Sequence, residues 1–117
     1  MRLILYGTEA DKEAFSGALS ALPQQCYRSI RVVGYAKYDG FVAALSQNPP
    51  DCIVIMASGA NGMEGVIAAK SICRSAPVLW FSDDDGFGVQ SYRLGCAYFH
   101  KKPVSPQVLS AAIARCV

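Results

Sequence analysis

The sequence predicts an α/β fold, a doubly wound five-stranded parallel sheet with five helices. Short apolar runs alternate with amphipathic stretches five times along the chain, the pattern of a parallel sheet covered by helices on both faces. The third run, Cys52 to Ala57, is almost wholly apolar, as a central strand buried on both sides must be. The chain has 117 residues, the size of one domain with one core between helical layers, so residues 1–117 are expected to fold as a unit.

Arg2 to Tyr6 is the first predicted strand. Thr8 then offers an N-cap with Asp11 three residues on, and Phe15, Leu19 and Leu22 share one helical face before Pro23 ends the helix. Ile30 to Tyr35 is a β-branched second strand, and Asp39 is the expected cap of a short helix that turns Phe41, Val42 and Leu45 inward before Pro49 and Pro50 stop it. After the central strand, Ser58 to Gly62 predicts a loop of small residues, and Met63, Val66, Ile67 and Cys73 mark a third helix. Pro77 to Phe81 is the fourth strand and Ser82 to Gly86 an acidic turn; Phe87 to Leu94 is a short helix closed by Gly95. Ala97 to Phe99 is a brief fifth strand. Ser105 and Pro106 form a cap followed by proline at the first helical position, and Val108, Leu109, Ala112, Ile113 and Cys116 supply the last helix's buried stripe.

Composition narrows the function classes. Apolar residues make up 52% and charged residues 17%, with no low-complexity tract, which predicts a compact fold. The formal charge of +2 is small and its lysines and arginines are scattered, so no nucleic-acid footprint is expected. The apolar runs are too short and interrupted to span a bilayer and the N-terminus opens on a strand, so a cytoplasmic location is expected. Cys26, Cys52, Cys73, Cys96 and Cys116 are widely spaced without a Cys-x-x-Cys pair, and they read as buried small hydrophobes rather than metal or redox ligands.

In a doubly wound sheet, ligands and chemistry gather at the carboxyl ends of the strands. The informative residues are therefore Gly7-Thr8-Glu9, Met56 to Gly59, Ser82-Asp83 and Lys102-Pro103. Together with Pro50-Asp51 before the third strand, Gly62-Met63-Glu64-Gly65 after it, Gly95 before the fifth strand and the run Val32-Val33-Gly34-Tyr35-Ala36, they resemble, in order and spacing, the receiver domain of bacterial response regulators (CheY-like) across essentially the whole chain. The resemblance implies a flavodoxin-like sheet in the order 2-1-3-4-5, a role in two-component signal transduction or a phosphorelay, and a cis bond before Pro103.

In that family an acidic pair after the first strand holds Mg²⁺, an aspartate ending the third accepts phosphate, a Ser or Thr ends the fourth, and a lysine precedes a proline. Carried across, Ser82 matches the hydroxyl, Phe99 the aromatic switch position and Lys102 the lysine, but the acidic pair falls on Gly7 and Thr8 and the phospho-acceptor on Met56. A thioether offers neither nucleophilic oxygen nor charge, and phosphoryl transfer needs both a nucleophile and a metal held through carboxylates. The resemblance thus implies a degenerate pseudo-receiver with no catalytic residue, no metal and no cofactor. Asp51 is no substitute, because it enters the strand at the opposite end.

Glu9 and Asp83-Asp84-Asp85 read as solvated acids or as partners of Lys101 and Lys102, with Lys102 pairing with Glu9 or Asp83 or else keeping an anion pocket open. His100, the sole histidine, has no triad context, and Met56 with Cys52 reads as core packing. A rival is a flavodoxin relative that binds FMN or another anion, since Leu5-Tyr6-Gly7-Thr8-Glu9 resembles the start of that family's phosphate loop. Ala10-Asp11-Lys12-Glu13, however, places acids where a phosphate must lie. A third reading is the N-terminal regulatory domain of a longer transcriptional regulator. Receivers commonly signal through the fourth helix, fifth strand and fifth helix, so a protein partner or homodimer contact is expected there, with Tyr92, Tyr98 and Phe99 on or beside the edge as exposed aromatics, or else with Phe99 packed inward under the fourth helix and Tyr98 capping the edge.

Overall fold

The computed structural model describes residues 1–23 and 29–116. The reading of Cys26 lies outside these. Five parallel strands, β1 (Arg2–Tyr6), β2 (Arg31–Tyr35), β3 (Cys52–Ile55), β4 (Val78–Ser82) and β5 (Tyr98–Lys101), form one sheet in the order β2-β1-β3-β4-β5. The described helices are α1 (Glu9–Ser20), α2 (Tyr38–Gln47), α3 (Gly59–Ile72), α4 (Gly88–Arg93) and α5 (Pro106–Ile113), with one 3-10 turn, Asp85–Phe87, leading into α4. The fold is the doubly wound α/β sheet that the alternation of apolar runs predicts.

The sheet divides the interior into two cores. Because side chains alternate along a strand, Leu3, Leu5, Cys52, Val54, Met56, Leu79 and Phe81 face α1 and α5, where Phe15, Leu19, Leu109 and Ala112 meet them. Ile4, Tyr6, Ile53, Ile55, Val78 and Trp80 face the other way, toward Phe41 and Leu45 of α2 and Val66 and Ala69 of α3. β3 is buried at every position, as its unbroken apolar run requires. Its neighbours β1 and β4 pair with it in register, Tyr6 beside Ile55 and Ile55 beside Trp80, so that their carboxyl ends form one ledge.

Several local expectations need correction. α2 is capped by Lys37 with no side-chain bond; Asp39 lies inside its first turn, where its charge suits the helix dipole. α3 begins at Gly59, just after Ser58, so the predicted loop of small residues is mostly helix. Ile67 is half exposed; the face of α3 turned to the sheet is instead small, with Gly62, Gly65, Val66, Ala68 and Ala69 buried. That smallness follows from what lies beneath: a Cβ at Gly65 would stand 2.7 Å from the ring of Tyr6, and one at Gly62 would collide with the carbonyl of Ala57. Helix α1 ends at Ser20, before Pro23, yet Leu22 remains in the core. Gly95 closes α4 at φ +76°, a conformation that favours glycine.

Candidate functional site

Three strand ends and the first turn of α1 converge on Lys102. Its ammonium donates to the carbonyl of Met56 at 2.6 Å and to Asp11 Oδ1 at 3.0 Å, and lies 3.5 Å from Asp83 Oδ1. The Lys102 and Asp11 side chains are each only 16% exposed, so this pair is shielded from water more than a surface ion pair is. The Lys102–Pro103 bond is cis, as expected, and the Lys102 amide donates to the carbonyl of Ser82 at 2.8 Å, which sets the start of the lysine side chain beside the end of β4.

Asp11, not Glu9, is the carboxylate that Lys102 finds at this end of α1. The cause is local: Thr8 caps α1 by accepting from the Asp11 amide at 3.1 Å, and Asp11 Oδ2 accepts from the Thr8 amide at 3.0 Å, the reciprocal bond of a capping box. That bond curls the Asp11 carboxylate back over Gly7 and leaves Oδ1 free for Lys102. Glu9 points outward and is exposed. The space over Gly7 is correspondingly filled, since a Cβ there would meet Asp11 Oδ2 at 2.9 Å and Met56 Cβ at 3.1 Å.

Met56 is 1% exposed and joins the core cluster that contains Leu5, Val54 and Phe81, so it contributes its carbonyl to the ledge and its thioether to the interior. Ser82 ends β4, is buried, and its hydroxyl accepts from the Asp84 amide at 3.1 Å, which organises the acidic turn. Ser58 sits at the N-cap of α3 but donates its hydroxyl to Asp83 Oδ2 at 2.5 Å instead of capping the helix. This bond, aided by the charge of Lys102, holds the Asp83 carboxyl below its ordinary value of 3.8. Ser58 lies in the run Met56 to Gly59 marked at the strand ends, but its bond to Asp83 was not foreseen, because its small-residue context reads as a loop.

The ammonium of Lys102 faces two carboxylates, so its donors are directed at the chain's own oxygens, the pairing role expected with Asp83. The Thr8 amide, which a phosphate loop needs free, is occupied by Asp11. Nor does the donor set fit the Mg²⁺ of an active receiver. Gly7 and Thr8 bring no carboxylate, and Asp11 and Asp83 already surround a fixed cation. Among the described residues no group of three or more His, Cys, Asp or Glu side chains is placed to hold a metal. Asp51 lies at the far end of β3, accepting from the Arg2 amide at 2.7 Å.

At the sheet edge the aromatics part company. Tyr98 and Phe99 are consecutive on β5 and therefore face opposite sides of the sheet. Phe99 packs edge-on against Trp80 with ring centres 5.4 Å apart, and Tyr98 lies between Phe81 and His100 at 6.3 and 6.4 Å. Both are half-buried, so the expectation of exposed β5 aromatics is corrected. Tyr92 on α4 is 87% exposed, and Val89, one turn earlier on the same helix, is 59% exposed.

Neither the family models nor the curated proteins give a match. Solved structures do. A chain from Sinorhizobium meliloti assigned as the pilus assembly protein CpaE2 is similar with a TM-score of 0.73 at 21% identity, covering 100% of both chains. A response regulator from Desulfuromonas acetoxidans has a TM-score of 0.73 at 24% identity over 97% of this chain and 94% of that one. A response regulator receiver domain protein from Clostridium thermocellum has a TM-score of 0.77 at 16% identity over 98% and 92%. Likeness at these identities establishes a shared fold, and the strand order found here is the one they share: this chain has the architecture of a response-regulator receiver domain.

Proposed function

We propose that this chain is a pseudo-receiver, a signalling module of a two-component-type system that acts by protein–protein contact and accepts no phosphoryl group. The observation that carries the reading is the Lys102 site: the lysine is neutralised by Asp11 and Asp83 and bonded to the carbonyl of Met56, a residue whose side chain is a buried thioether. Gly7, Thr8, Met56, Ser82 and Lys102 are on this reading a degenerate phosphorylation site, and the module is not an enzyme and uses no cofactor. Partner binding is assigned to the face built from α4, β5 and α5, where Tyr92 and Val89 are the exposed apolar groups.

A second reading rests on the end-to-end match with the CpaE2 structure: the module serves a pilus assembly machine rather than a sensor kinase. Both readings share the phosphate-independent site, and both allow the module to act as the regulatory part of a longer protein.

The test is incubation with Mg²⁺ and acetyl phosphate, followed by intact-mass measurement. No increment of one phosphoryl group is expected. Met56→Asp alone should also take up none, because positions 7 and 8 would still lack carboxylates. A hydroxylamine-labile phosphoryl increment on the unaltered chain overturns the proposal.

A further inference from the structure

Cys52 opens β3 and Cys116 lies just beyond the end of α5, 64 residues later in sequence, yet their sulfurs stand 2.8 Å apart. The last helix brings them together. Leu109, Ala112 and Ile113 lay α5 on the sheet, and Cys116, its amide bonded to the carbonyl of Ile113 at 2.9 Å, continues that stripe one turn further onto the start of the central strand. Cys52 is fully buried and Cys116 half-buried, so a small solute reaches the pair from the Cys116 side. The pair is remote from Lys102, at the amino end of β3, and the mechanism proposed above does not use it.

We propose that Cys52 and Cys116 form a peroxide-oxidisable dithiol, whose disulfide ties the end of α5 to the beginning of β3. The hydrogen bond between the two thiols, together with burial, pushes Cys52 up, while the same bond holds Cys116 down. Cys116, the half-buried member of the pair that a small solute can reach, is the attacking sulfur. Its thiolate displaces hydroxide from hydrogen peroxide by breaking the O–O bond, and the hydroxide takes a proton to give the first water. The resulting sulfenic acid is attacked by the Cys52 sulfur; the S–O bond breaks, and the departing hydroxide takes the Cys52 proton as the second water. Two thiols and one peroxide thus become one disulfide and two waters, and a dithiol reductant reverses the change. Cys73 and Cys96 are the internal comparison. Cys73 is buried with its sulfur 3.8 Å from the carbonyl of Leu45, and burial pushes Cys96 up to about 11.

The test treats the whole chain with one equivalent of hydrogen peroxide, counts thiols, and maps non-reduced peptides. The expected result is the loss of two thiols, a single cross-link between the peptides that carry Cys52 and Cys116, and a Tm raised by roughly 10–20 °C for a loop of this size, reversed by dithiothreitol. Cys116→Ser, at a half-exposed position past the last helix, should keep the fold and lose both the cross-link and the rise in Tm. A cross-link that joins Cys116 to another cysteine overturns the proposal. So does conversion of Cys116 to its sulfinic acid while Cys52 stays a free thiol.

Discussion

An ammonium group carries three N–H donors, and a lysine shielded from water needs an acceptor near each. Lys102 has the Met56 carbonyl, Asp11 and Asp83, which makes it a structural keystone between β3, β5 and the first turn of α1. Replacing it by methionine keeps the aliphatic packing but leaves two carboxylates facing each other and a carbonyl unpaired, a loss of about 1–3 kcal/mol. Asp11→Ala removes both the ion pair and half of the capping box and should lose about 1–2 kcal/mol, whereas Glu9→Gln should stay within about 0.5 kcal/mol. Urea midpoints with unchanged slopes measure all three; equal losses for Asp11→Ala and Glu9→Gln would show that Lys102 does not depend on Asp11. The place of the lysine and of the serine ending β4 was legible in the sequence, since each stands next to a recognisable strand end. Of the carboxylates around Lys102, Asp83 was named from the sequence and Asp11 was not, because the capping box that aims Asp11 is a short-range signal whereas its reach to residue 102 depends on how α1 meets β5.

Elements were legible in proportion to how much of their pattern is apolar. All five strands follow from runs that a parallel sheet buries, whereas the order of the sheet came from the resemblance to receiver domains. Helix α3 was read least well, and the reason is physical: its contact face is made of glycine and alanine, which carry no hydrophobic period, so Ile67 looked like a core residue and is half exposed. The same face makes a clear prediction. Gly65→Ala would place a methyl 2.7 Å from Tyr6, whose ring is itself stacked on Phe41 at 4.8 Å, so the helix must shift and stability should fall by about 1–3 kcal/mol despite alanine's better helix propensity. Gly17 in α1 has nothing within 4 Å of a Cβ, and Gly17→Ala should gain up to about 1 kcal/mol. Thermal unfolding of the two variants checks this; a gain at both positions would mean that α3 does not sit as close to the sheet as described.

For the molecule as a whole, if the site takes no phosphate, as proposed, no phosphoryl group shifts a population between two states, so the domain should hold one conformation and bind its partner constitutively. Phe99, tucked against Trp80, agrees with a switch position that stays inward. The exposed apolar groups on the proposed face are then Val89 and Tyr92, three residues apart and hence neighbours on α4. If a second copy of the chain docks there, Tyr92→Ala should weaken the dimer by about 1–2 kcal/mol, a shift of about 5–30-fold in its dissociation constant. Tyr98→Ala should act mainly on stability, because that ring is held between Phe81 and His100. Sedimentation of the unaltered chain and both variants distinguishes the possibilities. A monomer at the highest concentration reached leaves a different protein as the partner of this face, and a dimer indifferent to Tyr92→Ala places the interface elsewhere on the molecule.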